Sequence, residues 1–548
     1  MFRFLTKQSR GLTSASLIIA GGAILSRLLG LVRDRVFASQ FGAGRELDIY
    51  YAAFRVPDFI YSILILGAIS ATFIPLFSSL LHKDEEEGLK PHSPANHLAS
   101  SMLTDIVVLL AILALILMLF APFVIAVVAP GLSAADKQQA TFLTRIMLLQ
   151  PIFLGASHVL TGILQSFRKF VITSLAPSFY NLGIIFGALF LVKPFGLQGL
   201  ALGVILGAAL HLLVQIPFAR HAGFSWDVGL RNSGLELKKT IRLMGPRVFA
   251  VMSDQIDLLV VTAIASTLAL GSIAIFNLAQ NIGMAPVGII GITFATAAFP
   301  ALSRTYSHQH TQEFLDTFAR AFRSILFFSI PLTILFILLR AQMVRVILGS
   351  GHFGWQDTRL TAAALGLFGI SLFAQTLIPL FARGFYAMHN TKTPMIIGAA
   401  ATVTNLVLSL SLLKLLTFAP SFYAFVENAL KLNGVRDISV VILPLSFSFT
   451  TIFEFFALLF FFLLRFPREN LASLVQPWYK NIAAAALMTA TTFLALRPLA
   501  NVLNMESTFG VFLQGFVAGT LGLVVYFLTT ALLKENPFLS SSKLKVKS

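Results

Sequence analysis

The sequence lacks cysteine altogether and contains few charged residues. Without cysteine the chain forms no disulfide, no thiolate metal site and no cysteine nucleophile. Charged residues make up 11% of the 548 positions, whereas an ordinary soluble protein carries about 25%. Hydrophobic residues reach 57% and the mean hydropathy is +0.85, more apolar side chain than a water-soluble globule hides. Composition therefore predicts a polytopic membrane protein and excludes disordered, disulfide-rich and coiled-coil classes.

The apolar runs are long and lack the alternation of a membrane β-barrel. Many exceed the roughly 20 residues that a helix needs to cross the hydrocarbon core. The first run is not a cleaved signal peptide, because several charged residues interrupt it. The pattern predicts an all-α fold of about fourteen transmembrane helices, near residues 13–37, 49–80, 100–129, 139–165, 172–192, 197–218, 240–268, 272–302, 315–339, 358–387, 394–416, 439–464, 480–497 and 509–533.

Signatures of catalysis and of metal binding are also missing. The chain has no GxxxxGK[ST] phosphate loop and no HExxH motif, so we expect no enzyme activity of its own. We predict no bound metal and no cofactor, since the histidines that we single out fall mostly in loops. These are His82, His92, His97, His221, His308, His310, His352 and His389.

The net charge of +17 lies in short loops between the apolar runs. It therefore indicates membrane topology rather than a nucleic-acid partner. Lysine and arginine concentrate in alternate loops, including the two chain ends. By the positive-inside rule, this bias predicts that both termini are cytoplasmic.

Two weak internal similarities bear on the domain organisation. Residues 71–78 resemble 296–303, and Pro177 with Asn181 resembles Pro394 with Asn405, both at offsets of about 220 residues. This spacing favours duplication of a six-helix unit, with both copies facing the same way, as in transporters built from parallel repeats. We therefore predict a first lobe at 1–222, a second at 223–466, and two further helices with a tail at 467–548.

Polar side chains within apolar helices are costly, so they usually face a cavity or a partner. Several arginines that converge on one cavity would suit an anionic substrate such as a phosphate or a carboxylate. A structural ion pair between Arg27 and Asp48 or Asp58 is the competing interpretation. The predicted substrate-binding residues are Arg27, Arg33, Asp48, Arg55, Gln280 and Asn281, and the predicted ion or gating residues are Asp254, Asp257 and Asn405.

A set of short motifs is spread over about the first 410 residues. They are SRLLGLVRD at 26–34, FGAG at 41–44, FRVP at 54–57, LQSFR at 164–168, Pro177 with Asn181, MGP at 244–246, PVG at 286–288, and Thr393 with Pro394. These motifs resemble those of the MurJ/MviN family of lipid II flippases, in the multidrug/oligosaccharidyl-lipid/polysaccharide (MOP) exporter superfamily.

The resemblance implies a bacterial inner-membrane flippase that moves undecaprenyl-pyrophosphate-linked peptidoglycan precursor to the outer leaflet by alternating access. Two six-helix lobes would enclose a cationic cavity, and the last two helices would hold the lipid tail. Arg27 and Arg33 match the cavity arginines of the family's first helix. Asp48 matches the acidic residue that begins its second helix.

The sequence departs from the family pattern at several of these positions. Tyr61 stands where the family commonly has a further arginine, and 280–284 reads QNIGM where well-known members have Asp-Arg-x-x-Glu. Some members bind sodium through an aspartate that is Val261 here, and through a motif that runs here from Asn405 to Ser409. Asp257 lies one helical turn before Val261. The coupling ion, Na⁺ or H⁺, is therefore left open.

Two alternatives differ in function. One is export of another polyprenyl-linked oligosaccharide within the same superfamily; a cationic-drug exporter is disfavoured because it would want acidic surfaces. The other is a non-transporting membrane scaffold for cell-wall synthesis. The departures from the family pattern at Tyr61, Asn281 and Met284 favour this alternative. The expected partners are lipid II or a related glycolipid, the bilayer and proteins of cell-wall synthesis.

Overall fold

The computed structural model describes residues 12–63, 70–83, 93–226, 252, 255–435, 437–466 and 478–533. Within these ranges all regular secondary structure is helical. Ten helices are long and apolar enough to span a bilayer, and a pair bent by 46° at Ser371 brings the number to eleven. The all-α polytopic fold is therefore confirmed.

Eleven of the fourteen predicted spans coincide with these helices. The first predicted span falls on a 30-residue helix, Leu12–Phe41, which carries Arg27, Arg33 and two further charges. The second and seventh predicted spans run into residues that the structure does not describe. The count of fourteen thus stays a prediction.

The described chain divides into two compact units. The first comprises residues within 1–37 and 44–273, and the second those within 38–43 and 274–548. The duplication and the boundaries at 222 and 466 that the sequence suggested stay predictions.

Among the residues that the structure describes, the first unit contains eleven helices. They are α1 (Leu12–Phe41, whose last turn groups with the second unit), α2 (Arg45–Ile60), α3 (Ser70–Lys83), α4 (Pro94–Val128), α5 (Ala134–Met147), α6 (Gln150–Ser166), α7 (Phe170–Phe186), α8 (Val192–Phe195), α9 (Gln198–Leu213), α10 (Ile216–His221) and α11 (Gln255–Ser266). A π-helical segment, Gly187–Leu191, joins α7 to α8.

The second unit begins within α12, whose first two residues belong to the first unit. Its helices are α12 (Ser272–Pro286), α13 (Thr293–Ser307), α14 (Thr311–Leu338), α15 (Arg340–Ile347), α16 (Trp355–Ile370), α17 (Leu372–Ala387), α18 (Lys392–Phe418), α19 (Pro420–Leu430), α20 (Ile442–Leu463), α21 (Trp478–Val502) and α22 (Thr508–Leu532). A π-helical segment, Val287–Ile292, continues α12 into α13, and a 3₁₀ turn, Ser439–Val441, precedes α20.

Glycines set the closest helix contact of the first unit, between α7 and α9. A β-carbon on Gly203 would lie 2.7 Å from the Cα of Gly187, and one on Gly207 would collide with the backbone of Tyr180. In lipid no hydrophobic force draws helices together, so small residues that let backbones approach are the usual means of packing.

Aromatic rings fill the core of the second unit. The Phe318 and Phe462 rings stack with centroids 4.2 Å apart, and the Phe381 ring meets that of Phe318 edge-on at 5.2 Å. These side chains are fully buried where α14, α17 and α20 pack together. Interlocking rings of this kind fix three helices at once.

Helical geometry is irregular at two places in the first unit: within and after α2, and between α9 and α10, which the sequence predicted as a single span at 197–218. Pro57 lies inside α2, and a π-type turn follows Ile60 at Tyr61–Ile63. Between α9 and α10 the backbone N–H of Gln215 bonds the carbonyl of Leu212 instead of the one four residues back. Proline two residues later lacks an N–H and favours this interruption.

Candidate functional site

Arg33 is held rigidly on the inner face of α1. Its Nε and Nη2 donate to the same oxygen, Oδ1 of Asp34, at 3.0 and 2.8 Å. Asp34 is 1% exposed, and a carboxylate buried to this degree needs an opposite charge nearby, which Arg33 supplies. The two residues form a fixed ion pair within the membrane-spanning part of the unit.

Asn181 of α7 joins this ion pair to the start of the motif. Its Oδ1 accepts from Nη1 of Arg33 at 3.4 Å, while its Nδ2 donates to the carbonyl and hydroxyl of Ser26, both at 3.3 Å. The same amide lies 3.2 Å from the carbonyl of Pro177. The resemblance had singled out Pro177 and Asn181, and the structure shows that Asn181 orients Arg33.

Arg27 lies nearly two turns before Arg33 on α1, and its side chain is exposed. Across the residues that the structure describes, it makes no hydrogen bond and no ion pair. The charges that influence it most are those of Arg33 and Asp34. The predicted alternative, a structural pair of Arg27 with Asp48 or Asp58, is therefore not what this structure contains.

Arg55 and Asp58 are two further charged residues, on α2. The two lie three residues apart, on one face of the helix. Asp58 interacts electrostatically with Arg55 and with Arg33. Three arginines and two aspartates thus share this part of the first unit, and the excess charge is positive. We call Arg27, Arg33, Asp34, Arg55 and Asp58 the charged cluster.

Tyrosines surround the charged cluster. Tyr50 and Tyr51 of α2 interact electrostatically with Arg33 and Asp34, and Tyr180 of α7 interacts with Asp58. The hydroxyl oxygens of Tyr51 and Tyr180 are buried and have no hydrogen-bond partner among the described residues. Buried hydroxyls normally find a partner, so these two are available to an incoming polar group.

Asp48 performs a different task at the other end of α2. Its Oδ2 accepts from the backbone N–H of Gly271 at 2.6 Å, which secures the turn between α11 and α12. Gly271 has a φ of 90°, a conformation that favours glycine. The structure does not bring Asp48 into the charged cluster, and its contact with substrate stays a prediction.

The remaining predicted site residues are dispersed. Gln280 and Asn281 are half-buried on α12 in the second unit, and Asp257 is half-buried on α11 in the first. Asn405 is buried on α18, where its Oδ1 accepts from Ser409, whose hydroxyl bonds Ser446 of α20 at 2.6 Å. Asp254 lies outside the described residues.

Two histidines that the sequence analysis missed lie inside apolar helices of the first unit. His158 of α6 and His211 of α9 stack with ring centroids 5.8 Å apart and an interplanar angle of 8°. The signal that would have found them is a histidine within an uninterrupted apolar run, which is costly unless it has partners. Tyr61, the position of a family arginine, contacts His158.

Sequence comparison now decides the family. The profile described as lipid II flippase MurJ matches residues 37–516 of this chain. The chain belongs to the MurJ lipid II flippase family. The resemblance that the first two helices suggested is thus confirmed over most of the chain.

Relatives and solved structures agree with this MurJ assignment. A probable lipid II flippase MurJ from Vibrio cholerae is 30% identical over 78% of this chain and 83% of its own. One from Haemophilus influenzae is 31% identical, over 70% and 77% respectively. Among solved structures, a lipid II flippase MurJ in an inward closed conformation has a TM-score of 0.72 at 21% identity, covering 94% of this chain and 98% of that one.

The fold extends beyond MurJ to its superfamily. An inward-facing multidrug resistance MATE transporter of the MOP superfamily has a TM-score of 0.61 at 16% identity, covering 82% of this chain and 98% of that one. Likeness at such identities shows a shared fold only. The MOP transporter fold inferred from the resemblance is therefore confirmed.

Proposed function

We propose that this chain is a lipid II flippase of the bacterial inner membrane. It moves the undecaprenyl-pyrophosphate-linked peptidoglycan precursor from the inner to the outer leaflet by alternating access. The observation that carries the proposal is an exposed Arg27 beside an Arg33 that Asp34 and Asn181 already orient. The names of its relatives agree with this function.

The geometry suits a pyrophosphate group. A guanidinium can donate two parallel hydrogen bonds to phosphate oxygens and keeps its charge at any physiological pH. Arg33 has its orientation fixed before substrate arrives, which reduces the entropy cost of binding. Arg27 keeps its donors available among the described residues. The chain transports without covalent chemistry, so the site needs only to bind and release.

The test compares Arg27→Ala, Arg27→Lys and the control Arg320→Ala, an exposed residue of α14 whose side chain hydrogen-bonds Thr317 of the same helix. Flipping of a fluorescent lipid II is measured in vesicles, and growth in a bacterium depleted of its own flippase. Arg27→Ala should reduce the rate about ten- to a hundredfold, as expected for one charged hydrogen-bonding partner. Arg27→Lys should retain part of the rate, because lysine keeps the charge but lacks the fork.

The outcomes separate the alternatives. Wild-type protein that neither flips lipid II nor restores growth would refute the flippase. Flipping of other polyprenyl-linked oligosaccharides in preference to lipid II would identify the related exporter. Normal transport by Arg27→Ala, at normal protein levels, would remove Arg27 from the site while leaving the function intact.

Orientation is a separate part of the proposal: both termini face the cytoplasm. The lack of native cysteine makes single-cysteine probes direct, because no background thiol must be removed. Ser548→Cys and Lys90→Cys should resist an impermeant maleimide in intact cells, whereas Lys137→Cys should react. Labelling in the opposite pattern would invert the topology.

A further inference from the structure

His158 and His211 form the centre of a polar network inside the first unit. Their rings are nearly parallel, and both lie within candidate membrane spans. His211 is 5% exposed. Polar residues at such depth are usually functional or satisfied by a partner, so the hydrogen bonds of each ring require an account.

The partners of His158 assign its tautomer. Its Nδ1 lies 2.9 Å from the carbonyl oxygen of Leu154, which can only accept, so Nδ1 carries the hydrogen. Its Nε2 lies 3.4 Å from the hydroxyl of Tyr61. In the neutral ring Nε2 accepts from that hydroxyl. A hydroxyl can rotate to accept instead, so Tyr61 accommodates both the neutral and the protonated imidazole.

His211 makes its polar contacts with the hydroxyl of Ser157. The Ser157 hydroxyl lies 2.7 Å from Nδ1 of His211 and 2.9 Å from the His211 carbonyl. It also accepts from Nε2 of Gln215 at 2.7 Å, and Thr161 donates to the Oε1 of that glutamine at 2.9 Å. Each side chain of this network, from Tyr61 to Thr161, can thus donate or accept a hydrogen bond.

The helix interruption between α9 and α10 creates part of this network. In a continuous helix the His211 carbonyl would accept from the backbone N–H of Gln215, but that N–H bonds Leu212 instead. The freed carbonyl accepts from the side chains of Ser157 and Gln215, at 2.9 and 3.1 Å. Interrupted membrane helices satisfied by side chains commonly mark ion and substrate pathways.

The neighbouring helices also carry titratable groups. Asp58 interacts electrostatically with Tyr61 and with Tyr180, so the charged cluster is coupled to the hydroxyl that contacts His158. The titratable groups whose side chains the structure describes on the helices that pack against α6 and α9 are Arg45, Glu46, Asp48, Tyr50, Tyr51, Arg55 and Asp58 of α2, Tyr61 just after it, His97 and Asp105 of α4, Asp136, Lys137 and Arg145 of α5, Tyr180 of α7, Lys193 of α8, and Arg220 and His221 of α10.

We propose that the His158–His211 pair binds one proton in each transport cycle and is the ion-coupling site of this protein. The inference rests on the proposed flippase function. Two imidazolium charges with centroids 5.8 Å apart would repel each other, so the stacked pair holds one proton rather than two. The Tyr61 hydroxyl reverses its hydrogen bond when His158 is charged, and α2 carries that change to Arg55 and Asp58.

The first experiment measures proton binding without transport. Full-length protein in lipid nanodiscs, labelled with ¹⁵N-histidine, is titrated between about pH 5 and 8, the range in which histidine ordinarily changes charge. His158→Gln and His211→Gln assign the two buried signals, and His308→Gln assigns an exposed control. One of the two buried rings should titrate, and its signal should disappear in the matching variant. Two buried rings that stay neutral throughout would overturn the proposal.

The second experiment measures lipid II flipping in vesicles at a series of pH values. A site that takes one proton gives a rate that changes up to about tenfold per pH unit on its titrating side. This dependence should vanish in His158→Gln and persist in His308→Gln. Wild-type pH dependence in both buried-histidine variants would overturn the proposal, whereas absent flipping by the wild type would refute the flippase itself.

A third variant guards against misfolding. Tyr61→Phe keeps the aromatic packing and removes only the hydroxyl that faces His158. It should shift the midpoint of the pH dependence without reducing folded yield. An unchanged midpoint in Tyr61→Phe, together with a normal ring titration, would contradict the role of Tyr61 as the switching partner.

Discussion

The two units bury different kinds of polar group. Among the described residues, every buried aspartate, arginine, lysine and histidine belongs to the first unit, namely Asp34, Asp48, Arg55, Asp105, Asp136, Lys169 and His211. The second unit buries uncharged groups such as Ser371, Gln375 and Ser448, which bond one another across α17 and α20. Substrate binding and ion coupling are thus expected in the first unit, with the second as its apolar counterpart.

The side chains that pack the helices together also differ between the two units. Close glycine contacts bring α7 and α9 together in the first unit, whereas interlocking phenylalanines hold α14, α17 and α20 in the second. Close backbone contact leaves side chains free for charged and polar contacts, whereas the stacked rings fill the space between the helices where they meet. The following predictions test whether this contrast holds.

The largest effect is expected at Arg33. Arg33→Ala breaks the ion pair with the buried Asp34, which should cost up to about 3–5 kcal/mol of folding stability and abolish flipping. Arg383 of the second unit, which donates to the Thr296 hydroxyl at 2.8 Å, is the matched control. Arg383→Ala should lose far less. Thermal unfolding in detergent and lipid II flipping in vesicles measure the two effects.

A double variant separates folding from transport. Arg33→Met combined with Asp34→Leu removes both charges, so it should recover folded yield without recovering flipping. Recovery of both would show that the ion pair is only structural. Equal losses in Arg33→Ala and Arg383→Ala would contradict the contrast between the units.

Hydropathy predicted most of the fold because crossing the bilayer requires a long apolar helix whatever its neighbours are. It did not predict the interruption at Gln215. That interruption depends on Ser157, a side chain of another helix that satisfies the freed His211 carbonyl. Such partners are separated by more than fifty residues and leave no local pattern.

The same limit applied to the site. Arg27 and Arg33 were predictable, since charges inside an apolar run are anomalous by themselves. The internal similarity and the family resemblance singled out Asn181, but neither predicted its orienting role, which depends on contacts between α1 and α7. His158 and His211 were overlooked, although a histidine in an apolar run is a signal of the same kind, and no sequence feature pairs the two. Only the fold stacks the two rings.

The second largest effect is expected in the aromatic core. Phe318→Ala should cost about 3–5 kcal/mol, because the surrounding rings cannot close the cavity. Phe461 of α20 is 45% exposed, and Phe461→Ala should change stability little. Unfolding in denaturing detergent measures both. Flipping by folded Phe318→Ala should stay near normal, and its selective loss would move function into the second unit.

A smaller effect is expected at the glycine contact of the first unit. Gly203→Ala places a methyl group 2.7 Å from the Cα of Gly187, which is backbone and cannot rotate away. The strain should cost about 1–3 kcal/mol. Gly21→Ala is the control, since a β-carbon there meets no atom within 4 Å. Unchanged unfolding of Gly203→Ala would show that α7 and α9 separate easily.

The smallest effect is expected at the surface of the second unit, where we assign the charged residue Arg359 a structural role. The Arg359 guanidinium donates to the carbonyls of Lys431 and Asn433 and so closes the end of α19, where Lys431 adopts a φ of 58°. Exposed contacts of this kind contribute about 1 kcal/mol or less. Arg359→Ala should therefore leave global unfolding and flipping unchanged.

Its effect should be local and visible in hydrogen exchange. Amides of α19 and the following turn should exchange faster in Arg359→Ala, because helix ends without capping partners fray first. Arg359→Lys should restore part of the protection from exchange, since one donor nitrogen then replaces two. If Arg359→Ala instead reduced flipping as Arg33→Ala does, functional charge would extend to the second unit and the contrast between the units would fail.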